Sequence, residues 1–585
     1  MCAIFGWQTR EAGALPATAL QEMGAMLQHR GPDDAGEYWS AEGAVALGHR
    51  RLSIIDLTSG SHQPMVDETR GLAMVFNGEI YNFKALRTEL VARGHVFRSQ
   101  GDSEVVLRAF AEWGVDSFAR LAGMFALAIW DARARTLHLA RDAMGMKPLY
   151  VLASSRTLSF ASELKAFRCI PGFDARVNAG SLQEFLEFGY VFGTGNTILE
   201  GVRKLEPGHR IEVRDGAITH EQAWFVPASV PSEQPPGTAG VQAFMDTLEE
   251  VVAQHLVADV PVGLLLSGGL DSSLIASLAA RKGPLLTISM GFSKSALDER
   301  PYARTVSEHL GSRHVDVEIS AAEVQKEISE GAWVFDDLFA DWGTVTTRLL
   351  YRRCRELGVK VVLVGEGSDE LFGGYDIFRV PERLGVWQQF RLYQKYAGRR
   401  HGKLFGRFRE IMGQYLEQTH GNAFEAVRLF ESRRQLPNNY VMKVDKASMA
   451  ESVEARAPFL DRRIAQIAYA TPRSALLRGD ENKHLLRAGA RLRGLLPESI
   501  TSRPKLGGSI AASWMADDTQ FRHFARERLL DGRWTAQLGL RNQMRDFFDK
   551  GVQGGAFPAA LSLYGNMAWR LLLLELWSGF YLAPR

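Results

Sequence analysis

Residues 227–237 read Pro-Ala-Ser-Val-Pro-Ser-Glu-Gln-Pro-Pro-Gly, and they divide the chain. Proline fixes φ and has no N–H to donate, so neither a helix nor a central strand can run through this stretch. It reads as a linker. At 585 residues the chain is also too long for one core, so at least two units are expected. The hydrophobic period differs on the two sides. Ahead of the linker, short apolar or alternating runs at 44–47, 72–75, 125–129, 136–140, 149–152 and 158–161 predict strands, and 17–27 and 83–93 have helical spacing. That half is expected to be a layered α+β domain. Behind the linker the chain alternates: helix 241–256, strand 262–266, helix 272–281, strand 285–290, helix 303–310, strand 315–319, helix 345–357, strand 359–364. This alternation predicts a doubly wound parallel sheet with helices on both faces. Beyond about residue 380 the pattern is mainly helical. The expected units are residues 2–205, a linker 206–240, and residues 241–585.

A formal net charge of +2 gives no bulk attraction to nucleic acid. The locally basic stretch 391–409 is interleaved with Gln, Tyr and Phe and reads as a solvated helix face. Three cysteines, none at CxxC spacing, cannot build a disulfide framework. A reducing, cytoplasmic compartment is the default expectation. No signal-peptide pattern is visible, and no apolar run approaches the ~18 residues of a membrane span. Self-association as a homodimer is left open.

The second half carries two anionic-ligand loops. Ser267-Gly-Gly-Leu-Asp-Ser-Ser273 lies between an apolar strand and a helix. In a doubly wound sheet that position turns backbone N–H groups and the positive end of a helix toward an anion. The adjacent Gly268 and Gly269 permit close approach to phosphate, and Ser267, Ser272 and Ser273 add donors. Asp271 would repel phosphate unless a cation lay between them, which implies Mg²⁺. There is no GxxxxGK[ST] motif, so the loop is not of the Walker type. A second loop, Gly365-Glu-Gly-Ser-Asp-Glu370, also follows a strand. It offers Asp369 as a second metal ligand and Glu366 as a general base or substrate-facing charge.

The first half begins Met1-Cys2. Removal of Met1 would leave a thiol and a free α-amine on one residue. An α-amine titrates near pKa about 7.7–8.0 and can act as a base close to neutrality. On its own, position 2 is better read as an inert small apolar residue, as free cysteines usually are.

The motifs together decide the matter. Ser267–Ser273 resembles the PP-loop of N-type ATP pyrophosphatases. Cys2-Ala-Ile-Phe-Gly6, Arg30-Gly-Pro-Asp33 and Asn77-Gly-Glu-Ile-Tyr81 resemble the class II glutamine amidotransferase signature. With Gly365–Tyr375 and Ser452-Val-Glu-Ala-Arg-Ala-Pro-Phe-Leu-Asp461, the chain from Cys2 to about Pro504 resembles the glutamine-hydrolysing asparagine synthetases. The resemblance implies an N-terminal Ntn-hydrolase-type αββα sandwich beside the PP-loop domain. It implies that Cys2 attacks the glutamine amide, with Asn77 and the Gly78 N–H as oxyanion hole. Arg51 would grip the α-carboxylate, and Glu79 and Asp102 the α-ammonium. Ammonia would pass to the second domain. There ATP would adenylate a carboxylate, with Leu266, Met290 and Gly365 on the nucleotide, Mg²⁺ on Asp271 and Asp369, and Lys483 near the phosphates. Glu366 would assist ammonia attack, and AMP and pyrophosphate would leave. The activity implied is carbon–nitrogen ligation with glutamine as donor.

Two departures from the family pattern stand out, the first bearing on the nucleotide and the second on the acceptor. Val364 replaces a small residue, and Trp342 lies in a segment that replaces a more usual Asp-Pro-Ser stretch. Aspartate is the expected acceptor. The alternatives are a paralogue amidating another carboxylic acid, a β-lactam-type synthetase, and a non-catalytic scaffold. Glu366 with the retained Cys2, Arg51, Asn77 and Asp102 argues against ring closure, and retention of the charged groups of both sites argues against a scaffold. In the segment 451–461, Glu454 and Arg456 are expected to serve the acceptor site. The final 75 or so residues carry no motif.

Overall fold

The structure is a computed structural model that describes residues 2–193, 195–227, 234–291, 298–341, 343–379, 403–503, 519–550 and 566–583. Met1, Trp342 and most of the basic stretch 391–409 lie outside these residues.

Two antiparallel sheets of six strands each build the first half. The first holds β1 (Ala3–Thr9), β2 (Asp34–Trp39), β3 (Val45–Arg51), β8 (Tyr150–Ala153), β9 (Thr157–Ala161) and β10 (Val202–Lys204), in the order β10-β8-β9-β1-β3-β2. The second holds β4 (Met65–Asp67), β5 (Leu72–Ile80), β6 (Gly123–Asp131), β7 (Thr136–Arg141), β11 (His209–Arg214) and β12 (Ala217–Ala223), in the order β12-β11-β7-β6-β5-β4. The period of two sorts the side chains into layers. Ile4 faces the second sheet, where Val75 and Ala128 meet it. Its neighbours Ala3 and Phe5 turn outward, into the cluster that contains Leu20 and Met23 of α1 (Ala17–Met26). On the other side, Met74, Phe76 and Leu127 pack under α2 (Phe83–Ala92) and α3 (Asp102–Trp113). The outcome is the four-layer αββα sandwich, closed by α4 (Ala179–Phe188).

The ladder runs further than expected. β11 pairs with β7 and β12 with β11, so residues 209–223 belong to the sandwich and not to a linker. The hairpin turns on Asp215 and Gly216, both at positive φ. An Asp-Gly pair is a preferred two-residue hairpin turn because its twist suits the flanking strands.

The second half is a five-stranded sheet, β15-β14-β13-β16-β17, with every pair parallel. Its strands are β13 (Val262–Leu265), β14 (Leu286–Gly291), β15 (Arg313–Glu318), β16 (Val361–Leu363) and β17 (Glu454–Arg456). The helices between are α5 (Thr238–His255), α6 (Leu270–Ala280), α7 (Arg300–Leu310), α8 (Ala321–Glu330), α9 (Gly343–Glu356) and α10 (Ser368–Phe372). The chain builds outward from β13 to β15, then returns to lay β16 on the other side of β13. The strand order therefore reverses between β13 and β16, the place where such sheets bind ligands. Among the described residues no helix is long and apolar enough to cross a membrane.

A buried ion cluster joins the halves. Arg30 reaches both oxygens of Asp445, at 2.8 and 3.0 Å, and Glu163 at 2.8 Å. Lys446 bonds Asp336 at 2.8 Å, and Asp336 accepts the N–H of Leu164 at 2.9 Å. The helix Asn566–Tyr581 closes the seam: Trp577 donates to the Asp336 carbonyl at 2.8 Å and Tyr581 to its carboxylate at 2.9 Å. The last residues thus have a structural task that no motif announces. Removing one partner of a buried pair strands the other. Asp445→Ala should therefore destabilise the protein by about 3–5 kcal/mol, read as a lowered thermal midpoint in calorimetry.

Candidate active sites

The first site lies at one end of the gap between the two antiparallel sheets. Cys2 immediately precedes β1 and is buried. Its backbone nitrogen donates to Asn77 Oδ1 at 2.9 Å. Asn77 and Glu79 lie two apart on β5 and so point the same way. Gly78 between them could carry no side chain, since a Cβ would sit 2.1 Å from the Met124 carbonyl oxygen. The Asn77 amide nitrogen is buried without a hydrogen-bond partner. A buried unmade donor is rare and asks for an acceptor, which a tetrahedral oxyanion beside Cys2 would supply. Arg51 ends β3, and its guanidinium is steered by the carbonyls of Thr58, at 3.1 Å, and Asp56.

Charge in this pocket is set by burial. Desolvation pushes the Cys2 thiol up, against the Leu52 N–H and the Arg51 charge. The thiol is therefore not self-activating, and a base on its own residue becomes useful. Asp102, at the start of α3, is pushed up to about 6 by burial, although the Ile80 N–H at 2.9 Å favours its charged form. Glu79 is raised by burial and by Asp102, with Arg456 opposing. Two neighbouring carboxylates held this way are suited to receive a cation.

The second site sits at the strand-order reversal. Leu266 follows β13 and donates to the Ile288 carbonyl at 2.8 Å, and Met290 lies near the end of β14. Ser267–Ser273 turns from β13 into α6. Gly268 has φ +68°, and a Cβ there would meet the Tyr302 backbone at 2.5 Å. Ser267 and Ser272 bond each other through their hydroxyls at 3.0 Å. Gly365 follows Val364, and a Cβ on it would press on Asp271 and Ser272 at 3.2 Å. The two loops are therefore in contact. Lys483 Nζ lies 2.5 Å from Asp271 and 2.7 Å from Asp369. Its backbone is left-handed, φ 51°, a conformation that costs a lysine about 1–3 kcal/mol. Despite burial, the two carboxylates hold Lys483 above its ordinary pKa. Two converging carboxylates at a phosphate loop fit Mg²⁺, which takes one or two protein carboxylates and fills the rest with phosphate oxygens and water.

The sequence thus named residues that the fold brings together in two groups. Glu366 is half-buried on the second loop, where its charge acts on Tyr351 and Lys443. One assignment changes. Glu454 and Arg456 do not serve the acceptor site: Arg456 bonds Glu79 at 2.9 Å and Glu454 at 2.5 Å, in the seam beneath the first pocket. They are carried there because β17 is the edge strand facing the sandwich. Trp342 is outside the described residues. Two residues went unnoticed. Ser368 donates to Asp271 at 2.8 Å. Arg503 donates to the Gly268 carbonyl at 3.0 Å and stacks on Tyr302, centroid distance 3.6 Å. Ser368 was readable as a hydroxyl beside Asp369. Arg503, 235 residues from Gly268, had no local signal.

Comparison with known proteins agrees with this division. Residues 1–225 match a glutamine amidotransferase domain and residues 243–579 match asparagine synthase. A Mycobacterium tuberculosis relative is 34% identical over 575 residues, covering 87% of each chain. Asparagine synthetase (glutamine-hydrolyzing) 1 of Bacillus subtilis is 31% identical over 539 residues, 83% of each chain. Asparagine synthetase (glutamine-hydrolyzing) 3 of the same organism is 30% identical over 551 residues, 86% of each chain.

Lys483→Met removes the ammonium between Asp271 and Asp369. ATP-dependent AMP formation should fall about 10²–10³-fold, while glutamine hydrolysis in the other domain stays within about threefold. Parallel assays of AMP and glutamate check this.

Proposed function

Since the chain belongs to the family of glutamine-hydrolysing asparagine synthetases, we propose that it makes asparagine from aspartate, ATP and glutamine through the residues just described. The Cys2 sulfur attacks the glutamine side-chain carbonyl after giving its proton to the α-amine freed by loss of Met1. The Asn77 Nδ2 and the Gly78 N–H stabilise the oxyanion. Collapse expels ammonia, and water then releases glutamate from Cys2. Arg51 holds the substrate α-carboxylate as a fork; Glu79 and Asp102 hold the α-ammonium.

In the second site the aspartate β-carboxylate attacks the α-phosphorus of ATP. Pyrophosphate leaves on the loop Ser267–Ser273, with Lys483 against the developing charge. Mg²⁺ held by Asp271 and Asp369 would screen the phosphates when bound. Glu366 assists ammonia as it attacks the acyl-adenylate, and AMP departs. The ion pair of Lys443 with Asp341, 3.4 Å, lies within the field of Glu366 and supplies both signs of charge that a zwitterionic acceptor needs. Ammonia passes inside the protein in this reading; the small cavity at the seam, lined by Met146, Tyr150 and Met442 and also by the charged Arg141, Asp445 and Lys446, is the place to look for its path. The observation that carries the reading is the pairing of an unmade Asn77 donor beside Cys2 with a phosphate loop over two carboxylates in one chain. We place the protein in the cytoplasm, where its three buried free cysteines would stay reduced.

The test is a substrate screen with glutamine and MgATP, reading AMP and pyrophosphate for each carboxylic acid. Aspartate should yield asparagine in step with AMP. Stimulation by a different acid alone would remove aspartate and keep the reaction class. Cys2→Ala should abolish glutamine-driven synthesis and spare synthesis from ammonium salts; equal loss of both would end the two-site scheme.

The pocket charge predicts a pH profile. Asp102 must be ionised to hold an ammonium, and its pKa is raised to about 6. kcat/KM for glutamine should therefore fall more steeply as pH drops through about 6 than protonation of the α-amine alone requires, and Asp102→Asn should remove that extra steepness.

A further inference from the structure

We propose that Arg456, a residue of the ATP-site sheet, is a positioning residue of the glutamine pocket, fixing the Glu79 carboxylate where the substrate's α-ammonium docks. The inference rests on the assignment of Glu79 to glutamine made above.

Arg456 is fully buried, and its planar guanidinium is held on three sides by its own half of the protein. Nε donates to Glu454 at 2.5 Å, and Nη1 donates to the carbonyls of His255 and Val257, each at 2.7 Å. These three bonds fix the plane of the fork and leave Nη2 directed across the seam. Nη2 donates to Glu79 Oε2 at 2.9 Å. Glu79 Oε1 is buried with no hydrogen-bond partner. One oxygen is thus tied down from the ATP side, and the other waits in the pocket for a donor. An ammonium is such a donor, and an orphaned buried acceptor calls for one.

The charges around Glu79 make the tie necessary. Asp102 approaches from the start of α3 and Glu454 from β17, and both disfavour a third carboxylate. Arg456 opposes them. Tyr81, whose ring lies 5.8 Å from the guanidinium, completes the enclosure. Burial, Asp102 and Glu454 hold Glu79 well above the usual carboxylate range, and Arg456 works against them; its loss would favour the neutral acid further, and a neutral acid holds an ammonium poorly. A lysine could carry the charge but not the fork.

Arg456 also meets the ATP loop through its backbone. Its carbonyl accepts the Val364 N–H at 2.9 Å, one residue before Gly365. One residue is therefore built into both sites, its backbone in the sheet that carries the ATP loop and its side chain in the glutamine pocket.

Steady-state glutamine hydrolysis by the full-length enzyme tests this with Arg456→Met, Arg456→Lys and Glu79→Gln. Arg456→Met should raise the glutamine KM about tenfold or more with kcat within about threefold, and shift the acid limb of kcat/KM to higher pH. Arg456→Lys should recover part of the KM and serves as the charge test if the Met variant does not fold. In the Glu79→Gln background Arg456→Met should add little, since the two act as one unit. An unchanged KM in both Arg456 variants overturns the proposal. So does an equal fall in glutamine hydrolysis and ammonium-driven synthesis, which would mark a general loss of structure. If Glu79→Gln alone leaves KM unchanged, the assignment of Glu79 to glutamine fails, and the proposal with it.

Discussion

Arg30 is the interaction on which the two-domain architecture turns. Its side chain is wholly buried, and it spans the seam from Glu163 in the sandwich to Asp445 in the synthetase half. Its Nε also donates to the carbonyl of Cys2 at 3.2 Å. The same guanidinium therefore locates the nucleophile and fixes the neighbouring domain against it. A charge so deep is tolerated only when its donors are met, and here bidentate pairing with Asp445 does most of that. The lysines around it, Lys147 and Lys446, extend the pairing into a network. Its geometry is over-determined: displacing either domain would strand several charges at once.

The two sites use opposite solutions to one problem. In the sandwich, the reactive end of the sheets is closed by side chains, and Gly78 lets β6 approach the backbone. In the parallel sheet, Gly268 and Gly365 let the two loops pack closely against their neighbours. The first arrangement suits a small substrate held by charge. The second suits a long polyanion held by N–H groups and cations.

Much of this was legible in the sequence wherever the determinant was local. The change from strand to helix–strand periodicity at the proline-rich stretch located both domains. The Gly-Gly and Gly-Glu-Gly loops announced themselves between apolar runs, and Asn77, Glu79 and Asp102 were implied by the family resemblance. The Asp215-Gly216 hairpin was equally local but was passed over, since only Ile211 and Val213 give its first strand an apolar face. What could not be read was contact across distance. Glu454 and Arg456 belong by sequence to the ATP half, yet Arg456 meets a carboxylate 377 residues away. No periodicity encodes which edge of a sheet faces another domain. Arg503 and the helix Asn566–Tyr581 escaped for the same reason.

That helix has a consequence for how the protein is made. Trp577 closes over Asp336 from 241 residues further along the chain. At a synthesis rate of about 5–20 residues per second, Asp336 is made roughly 10–50 s before its cap. In the last part of that interval, once Lys483 has been made, both motif-bearing halves exist, and the seam between them lacks its apolar cover. The nascent chain would offer chaperones a surface that the finished enzyme never shows, so the helix sets when the two domains can commit to each other.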